Sequence, residues 1–216
     1  MGFYSQYVLP RLINCCMQHA SVTVERQRFI PYARGKVLEI GIGSGLNLPW
    51  YSSQVERLYG LDPSPALWAL ACQRRRHTSF PLTYLHGSAE QIPCATGSFD
   101  TVVSTWTLCT LPAPLQALQE LRRVLQPAGR LIFVEHGLAP EPRVQVWQQR
   151  LTPVWKRLAG GCHLQRPIET LIRQAGFVFM QYETGYLPGP KPFAFLYKGL
   201  ARPASMHDEC PGRSLC

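Results

Sequence analysis

The chain predicts an α/β fold built on a doubly wound, mainly parallel sheet, and three observations carry that prediction. Short apolar runs alternate with segments of helical period from residue 36 to about residue 175. The run Val37-Leu38-Glu39-Ile40 ends in a glycine turn, Gly41-Ile42-Gly43-Ser44-Gly45, as strand-to-helix crossings in such sheets do. A second run, Leu58-Tyr59-Gly60-Leu61, delivers Asp62 about twenty residues after the first glycine, the position from which a carboxylate meets the ribose of a nucleoside ligand.

Residues 1–34 are expected to form a helical cap. Tyr7, Val8, Leu12, Ile13 and Met17 recur at helical spacing from Tyr4 to Gln18, with Pro10 kinking or restarting the helix. A second short helix is expected from Val22 to Tyr32. Residues 35–200 then form the ligand-binding domain. Its first strand spans 36–40, and a short helix opens near Leu46-Asn47-Leu48-Pro49, where proline suits a first turn. Strand 55–61 precedes a helix from Ser64, as N-cap, to about Arg76, with Pro65 at its first position. Strands follow at 81–86 and 99–105.

The stripe Leu115, Leu118, Leu121, Val124 and Leu125 predicts a helix from Pro114, and the Pro127-Ala128-Gly129 turn leads into a strand from Arg130 to Glu135. An insertion rich in tryptophan and glutamine, about 143–158, a helix near 167–175 and strands near 177–184 and 193–199 complete the domain. Residues 201–216 are expected to be a frayed tail, because they are polar, aperiodic and contain Pro and Gly.

No run approaches the eighteen apolar residues of a membrane span, and Met1-Gly2-Phe3-Tyr4 does not begin a secretory signal, so a cytoplasmic protein is expected. The net charge of +9 is dispersed, with Arg74-Arg75-Arg76 as the one basic run, so nucleic acid is not an expected partner. The eight cysteines show no metal-ligand spacing. They are expected to be reduced core or surface thiols, with no metal. Peripheral membrane contact through the first helix is disfavoured, because Arg11 is its only basic residue; packing over the site is expected instead. Nothing here specifies an oligomeric state.

The glycine spacing narrows the ligand. A dinucleotide fingerprint places its third glycine at position 46, which is Leu46, and a phosphate beside Glu39 is repelled at low local dielectric. A nicotinamide-dependent oxidoreductase is therefore disfavoured. A nucleoside carrying an ammonium and a sulfonium meets no such objection.

Glu39, Gly41, Gly43, Gly45 and Asp62 resemble the first two motifs of the class I S-adenosylmethionine-dependent methyltransferases of the type 11 group. The resemblance implies S-adenosyl-L-methionine as cofactor and a Rossmann-like sheet of seven strands with the last antiparallel. It implies that Glu39 and the glycines flank the methionine part, that Asp62 takes the ribose hydroxyls and that Ser88, Ala89 and Glu90 border the adenine. Many relatives carry aspartate where Ser88 stands. Asn47 and Thr105 complete the implied cofactor-binding set.

Ligands in such sheets bind beyond the carboxyl ends of the strands, which adds Trp106, Thr107 and His136 to the site. His136 is the candidate general base, its ordinary pKa near 6.5 suiting neutral pH. Thr107-Leu108-Cys109, Phe133-Val134-Glu135-His136, Trp147-Gln148-Gln149 and Gly161-Cys162-His163-Leu164-Gln165-Arg166 resemble the alkyl thiol methyltransferase-like branch. Animal members of that branch begin with a longer apolar anchor than this N-terminus is expected to form. The branch implies a small thiol or sulfide acceptor, with His136 or His163 assisting thiolate formation. Cys162 is expected to be a buried, inert thiol. The alternative acceptor is the oxygen or carbon of a quinone-like aromatic molecule.

Overall fold

A computed structural model describes residues 9–75, 78–205 and 208. Two helices, α1 (Leu9–Cys16) and α2 (Ala20–Phe29), precede β1 (Gly35–Ile40), β2 (Val55–Asp62), α3 (Pro65–Arg75), β3 (Leu82–His86) and β4 (Phe99–Thr105). Then come α4 (Pro114–Val124), β5 (Leu125–His136), α5 (Pro142–Leu158), α6 (Ile168–Gln174), β6 (Phe177–Tyr186) and β7 (Phe195–Pro203). The strands form one sheet in the order β3-β2-β1-β4-β5-β7-β6. β1 lies parallel to β2 and β4, whereas β7 is antiparallel to both β5 and β6.

Covered faces explain why the central strands are apolar runs rather than alternating patterns. Leu38, Ile40, Val102 and Phe133 pack on one side with Leu118, Leu121 and Ile172 from α4 and α6. Val37, Leu58, Val103 and Val134 pack on the other with Phe29 and Ile30 at the end of α2. The fully covered β1 therefore ends rigidly at the glycine turn, and the strand ends of β1, β2, β4 and β5 share one edge.

Several expected boundaries move. Tyr7 and Val8 lie outside the described residues, and Pro10 falls in the opening turn of α1, so the described helix starts there rather than bending. The second helix closes as a 3-10 turn at Ile30–Tyr32. Leu48–Trp50 is likewise only a 3-10 turn with proline in its first positions, too short for a crossover helix. Ser64 caps α3 as expected, its Oγ accepting from Leu67 N at 3.3 Å, while Arg76 lies outside the described residues. The Pro127-Ala128-Gly129 turn is a bulge inside β5: Phe99 pairs with Leu125, and two residues later Thr101 pairs with Arg130.

The insertion is the 17-residue helix α5, with Pro142 in its first turn and Pro153 inside it. Gln148 fixes it to the sheet. Its amide donates to Gly137 O at 3.0 Å and accepts from Ala139 N at 3.0 Å. The last strand continues through Pro203, so residues 201–203 are strand rather than tail: Ala201 pairs with Leu131 on one side and Phe179 on the other. Asp208 accepts two hydrogen bonds from Arg202 at 2.7 and 2.8 Å. Residues 206–207 and 209–216 lie outside the described residues. No described helix is long and apolar enough to cross a membrane.

Candidate functional site

A cavity of about 740 Å³ opens at the carboxyl ends of β1, β2, β4 and β5 and is roofed by α1 and the end of α5. Its first half rests on the glycine turn. Gly41, Gly43 and Gly45 all have positive φ. A Cβ on Gly41 would stand 2.3 Å from Thr107 Oγ1, so no larger residue fits between the turn and β4. A Cβ on Gly43 would make only ordinary contacts, 3.7 Å from Gly41 O and 4.0 Å from Leu67 Cδ1, but would narrow the cavity. Gly45 does not line it; there a Cβ would meet Leu48 and Ala71, so this glycine lets α3 approach the turn.

Asp62 is 5% exposed and ties the turn to β2. Its Oδ2 accepts from Gly43 N at 2.9 Å and its Oδ1 from Ser64 N at 2.8 Å. Burial raises its pKa, while these two backbone donors oppose the rise. Each carboxylate oxygen keeps a second lone pair, enough for two hydroxyls. Ser88 and Ala89 line the wall beyond it. Glu90 does not: it contacts Ser88 Oγ, and its backbone carbonyl accepts from Gln116 at 3.0 Å, so it pins the loop to α4.

Glu39 lies at the floor in a network that spacing could not reveal. Asn47 Nδ2 donates to Glu39 Oε1 at 2.8 Å and to Thr105 Oγ1 at 2.9 Å, and Tyr51 OH donates to Glu39 Oε2 at 2.8 Å. Arg26 Nε donates to Asn47 Oδ1 at 3.0 Å, bringing a buried cation from α2. Burial pushes Glu39 up to about 7 against those hydrogen bonds, and burial likewise lowers Arg26 to about 10. The Arg26 guanidinium sits 4.8 Å from the Trp106 ring. Trp106 is the one described non-glycine residue with positive φ, at 51°, a conformation costing about 1–3 kcal/mol that its N–H to Val134 O at 2.8 Å helps hold.

Arg74 also has a place in this half. From the last turn of α3 it donates to Ser44 O at 2.6 Å and to Asn14 Oδ1 at 3.3 Å, joining the glycine turn to the cap.

The other half is apolar and contains sulfur. Ile13, Trp155, Leu158, Phe193 and Leu196 line it, together with Cys109, His136 and Cys162. The turn after β4 is held by Glu135, which is fully buried and accepts from Ser104 Oγ at 2.7 Å, Thr107 N at 3.0 Å and Cys109 N at 3.3 Å. Burial pushes this carboxyl up to about 7 despite those donors. His136 is 5% exposed; its Nδ1 lies 3.7 Å from Cys162 Sγ, and its Nε2 has no partner among the described residues.

Cys162 arrives after the positive-φ pair Gly160-Gly161. The neighbouring backbone is fastened by His163 N to Cys109 O at 2.8 Å. His163 itself is not on the cavity wall, which separates it from His136.

A family model described as a methyltransferase domain matches residues 38–133. Thiol S-methyltransferase TMT1B of Rattus norvegicus is 33% identical over 167 residues, 76% of this chain and 66% of that protein. The Homo sapiens TMT1B is 36% identical over 157 residues, 70% of this chain and 64% of that protein. The chain thus spans just under two thirds of the length of these relatives. A putative methyltransferase from Bacillus halodurans has the same fold, with a TM-score of 0.68 at 15% identity over 86% of this chain and 100% of that one.

Residues 38–133 carry a methyltransferase domain, and the fold around it is that of the class I S-adenosylmethionine-dependent methyltransferases.

The cofactor that this domain implies is S-adenosyl-L-methionine. The geometry of this methyltransferase fits that molecule at two points: Asp62 retains two lone pairs beside the turn, and the space at Gly43 is one that a side chain would fill. Glu39, Asn47, Asp62, Ser88, Ala89 and Thr105 all line the same cavity as Gly41 and Gly43. The sequence signal did not reach Arg26, Tyr51, Glu135 or the pairing of Cys162 with His136, all of which depend on contacts between distant segments.

Proposed function

We propose that this methyltransferase transfers a methyl group to a small, apolar thiol. The observation that carries the proposal is the division of one cavity into a carboxylate-and-glycine half and an apolar half containing His136, Cys109 and Cys162. The thiol S-methyltransferase names of its relatives support it. When bound, S-adenosylmethionine supplies a methyl on a sulfonium, an activated electrophile whose leaving group is a neutral thioether.

The protein's tasks are then positioning, exclusion of water and acceptance of one proton. Asp62 takes the ribose hydroxyls, and Gly41 and Gly43 let the chain pass close to the methionine part. Ser88 and Ala89 border the adenine. Glu39 faces the cationic part of the ligand through the Asn47 and Thr105 network, and a cation there favours its ionised form. Thr105 and Trp106 separate the two halves, α1 and α5 exclude water, and His136 takes the acceptor proton.

Incubation with methyl-labelled cofactor and matched panels of alkyl thiols and phenols tests this. Labelled methyl thioethers are expected. Label on phenols or quinols alone would transfer the assignment to the aromatic alternative, for which Trp106, Trp155 and Phe193 provide walls.

A further inference from the structure

We propose that Cys162 acts as a thiolate that holds His136 in its Nδ1–H form, leaving Nε2 as the base for the acceptor's proton. The inference rests on the acceptor half assigned above and adds a positioning residue to it. Cys109, His136 and Cys162 all line the cavity, and His136 Nδ1 lies 3.7 Å from the Cys162 sulfur. His136 Nε2 is buried without a partner among the described residues, although an unpaired buried nitrogen is costly. A protic acceptor in the cavity provides the partner that the protein does not.

The surrounding charges favour this arrangement. The Cys109 hydrogen bond, followed by His136, holds Cys162 below the usual thiol range, while the same hydrogen bond and burial hold Cys109 above it. Arg166 faces both sulfurs and favours an anion on them. Glu135 faces Cys109 and opposes ionisation there. One anion is therefore placed on Cys162 and kept off Cys109.

A thiolate against Nδ1–H does for an imidazole what a buried carboxylate does in a hydrolase triad: it fixes the tautomer and the ring orientation and leaves the other nitrogen free to accept. In the step, the acceptor's S–H bond breaks and its proton moves to Nε2. The electron pair left on the acceptor sulfur forms the new S–CH3 bond, as the donor's S–CH3 pair returns to the donor sulfur. Cys162 neither gains nor loses a bond, which distinguishes a positioning residue from a nucleophile.

Nitrogen NMR of His136 in the full chain with S-adenosylhomocysteine reads the tautomer without turnover. The Nδ1–H form is expected in the native protein, with the Nε2–H form appearing in Cys162→Ser and the Nδ1–H form restored by Cys162→Asp. With an alkyl thiol, Cys162→Ser should lower kcat about tenfold or more and leave S-adenosylhomocysteine affinity unchanged. The pH dependence of Cys162 alkylation in the native protein needs no variant; its midpoint should fall well below about 8.5. An Nε2–H tautomer in the native protein, a tautomer unmoved by Cys162→Ser or an alkylation midpoint near 8.5 overturns the proposal. If phenols rather than thiols are methylated while the tautomer responds as expected, the acceptor assignment fails and the Cys162–His136 pair stands.

Discussion

The two halves of the cavity are built on opposite principles. Around the glycine turn, Glu39, Asn47, Asp62 and Thr105 are held by named partners within 3 Å, mostly from strand ends fixed by the core. Around Cys162 the walls come from α1, α5 and the loop to α6, the lining is apolar, and the buried His136 Nε2 has no partner among the described residues. A fixed hydrogen-bond network that leaves two Asp62 lone pairs open suits a half that binds one invariant molecule. An unpaired buried nitrogen beside sulfur suits a half whose chemistry needs a second molecule to complete it.

The sharpest way to separate the halves is Asp62→Ala. Loss of two charge-assisted hydrogen bonds, each about 1.5–3 kcal/mol, should weaken S-adenosylhomocysteine by at least a hundredfold in calorimetry. An unchanged affinity would remove Asp62 from the ribose and blur the division. Next comes Glu135, which stands at the seam. Glu135→Ala orphans the Ser104 hydroxyl and the backbone donors of Thr107 and Cys109, and should cost about 3 kcal/mol or more in chemical denaturation.

A pH effect of about 2 kcal/mol from each of Glu39 and Glu135 should follow between pH 5.5 and about 8, both being raised by burial to about 7. Their folded-state pKa exceeds the unfolded value near 4.5, so the stability they contribute at low pH is lost as pH rises through about 7. The ligand-free protein should therefore melt earlier at pH 8 than at pH 5.5, and Glu39→Gln should flatten part of that slope. A melting point that rises across this interval would contradict the burial assignment. The smallest effect belongs to the acceptor side: Trp155→Leu, which removes a ring packed 4.5 Å from Phe193, should raise the KM for an alkyl thiol about fivefold, roughly 1 kcal/mol, without changing S-adenosylhomocysteine affinity. A matching loss of cofactor affinity would show that the halves are not separable.

The same division governs what the sequence could disclose. Gly41, Gly43 and Asp62 are legible because turn, strand and carboxylate are spaced by local geometry, and the strands are legible because both sheet faces are covered. Gly45 and Glu90 carried the right motif positions but support helix and loop packing rather than the wall. Arg26 reaches Asn47 across 21 residues, and Cys162 meets His136 across 26; no periodicity encodes such contacts. Helix α5 was hidden because Pro153 interrupts it and its apolar residues face both ways, with Val146, Trp147, Val154 and Leu158 exposed.

The most direct test of the two-ended cavity is an experimental structure with S-adenosylhomocysteine bound. The ribose hydroxyls should lie on Asp62 and the cofactor sulfur should face the half containing Cys109, His136 and Cys162. An adenosine seated among those sulfur residues, with Asp62 free of the ribose, would contradict the account.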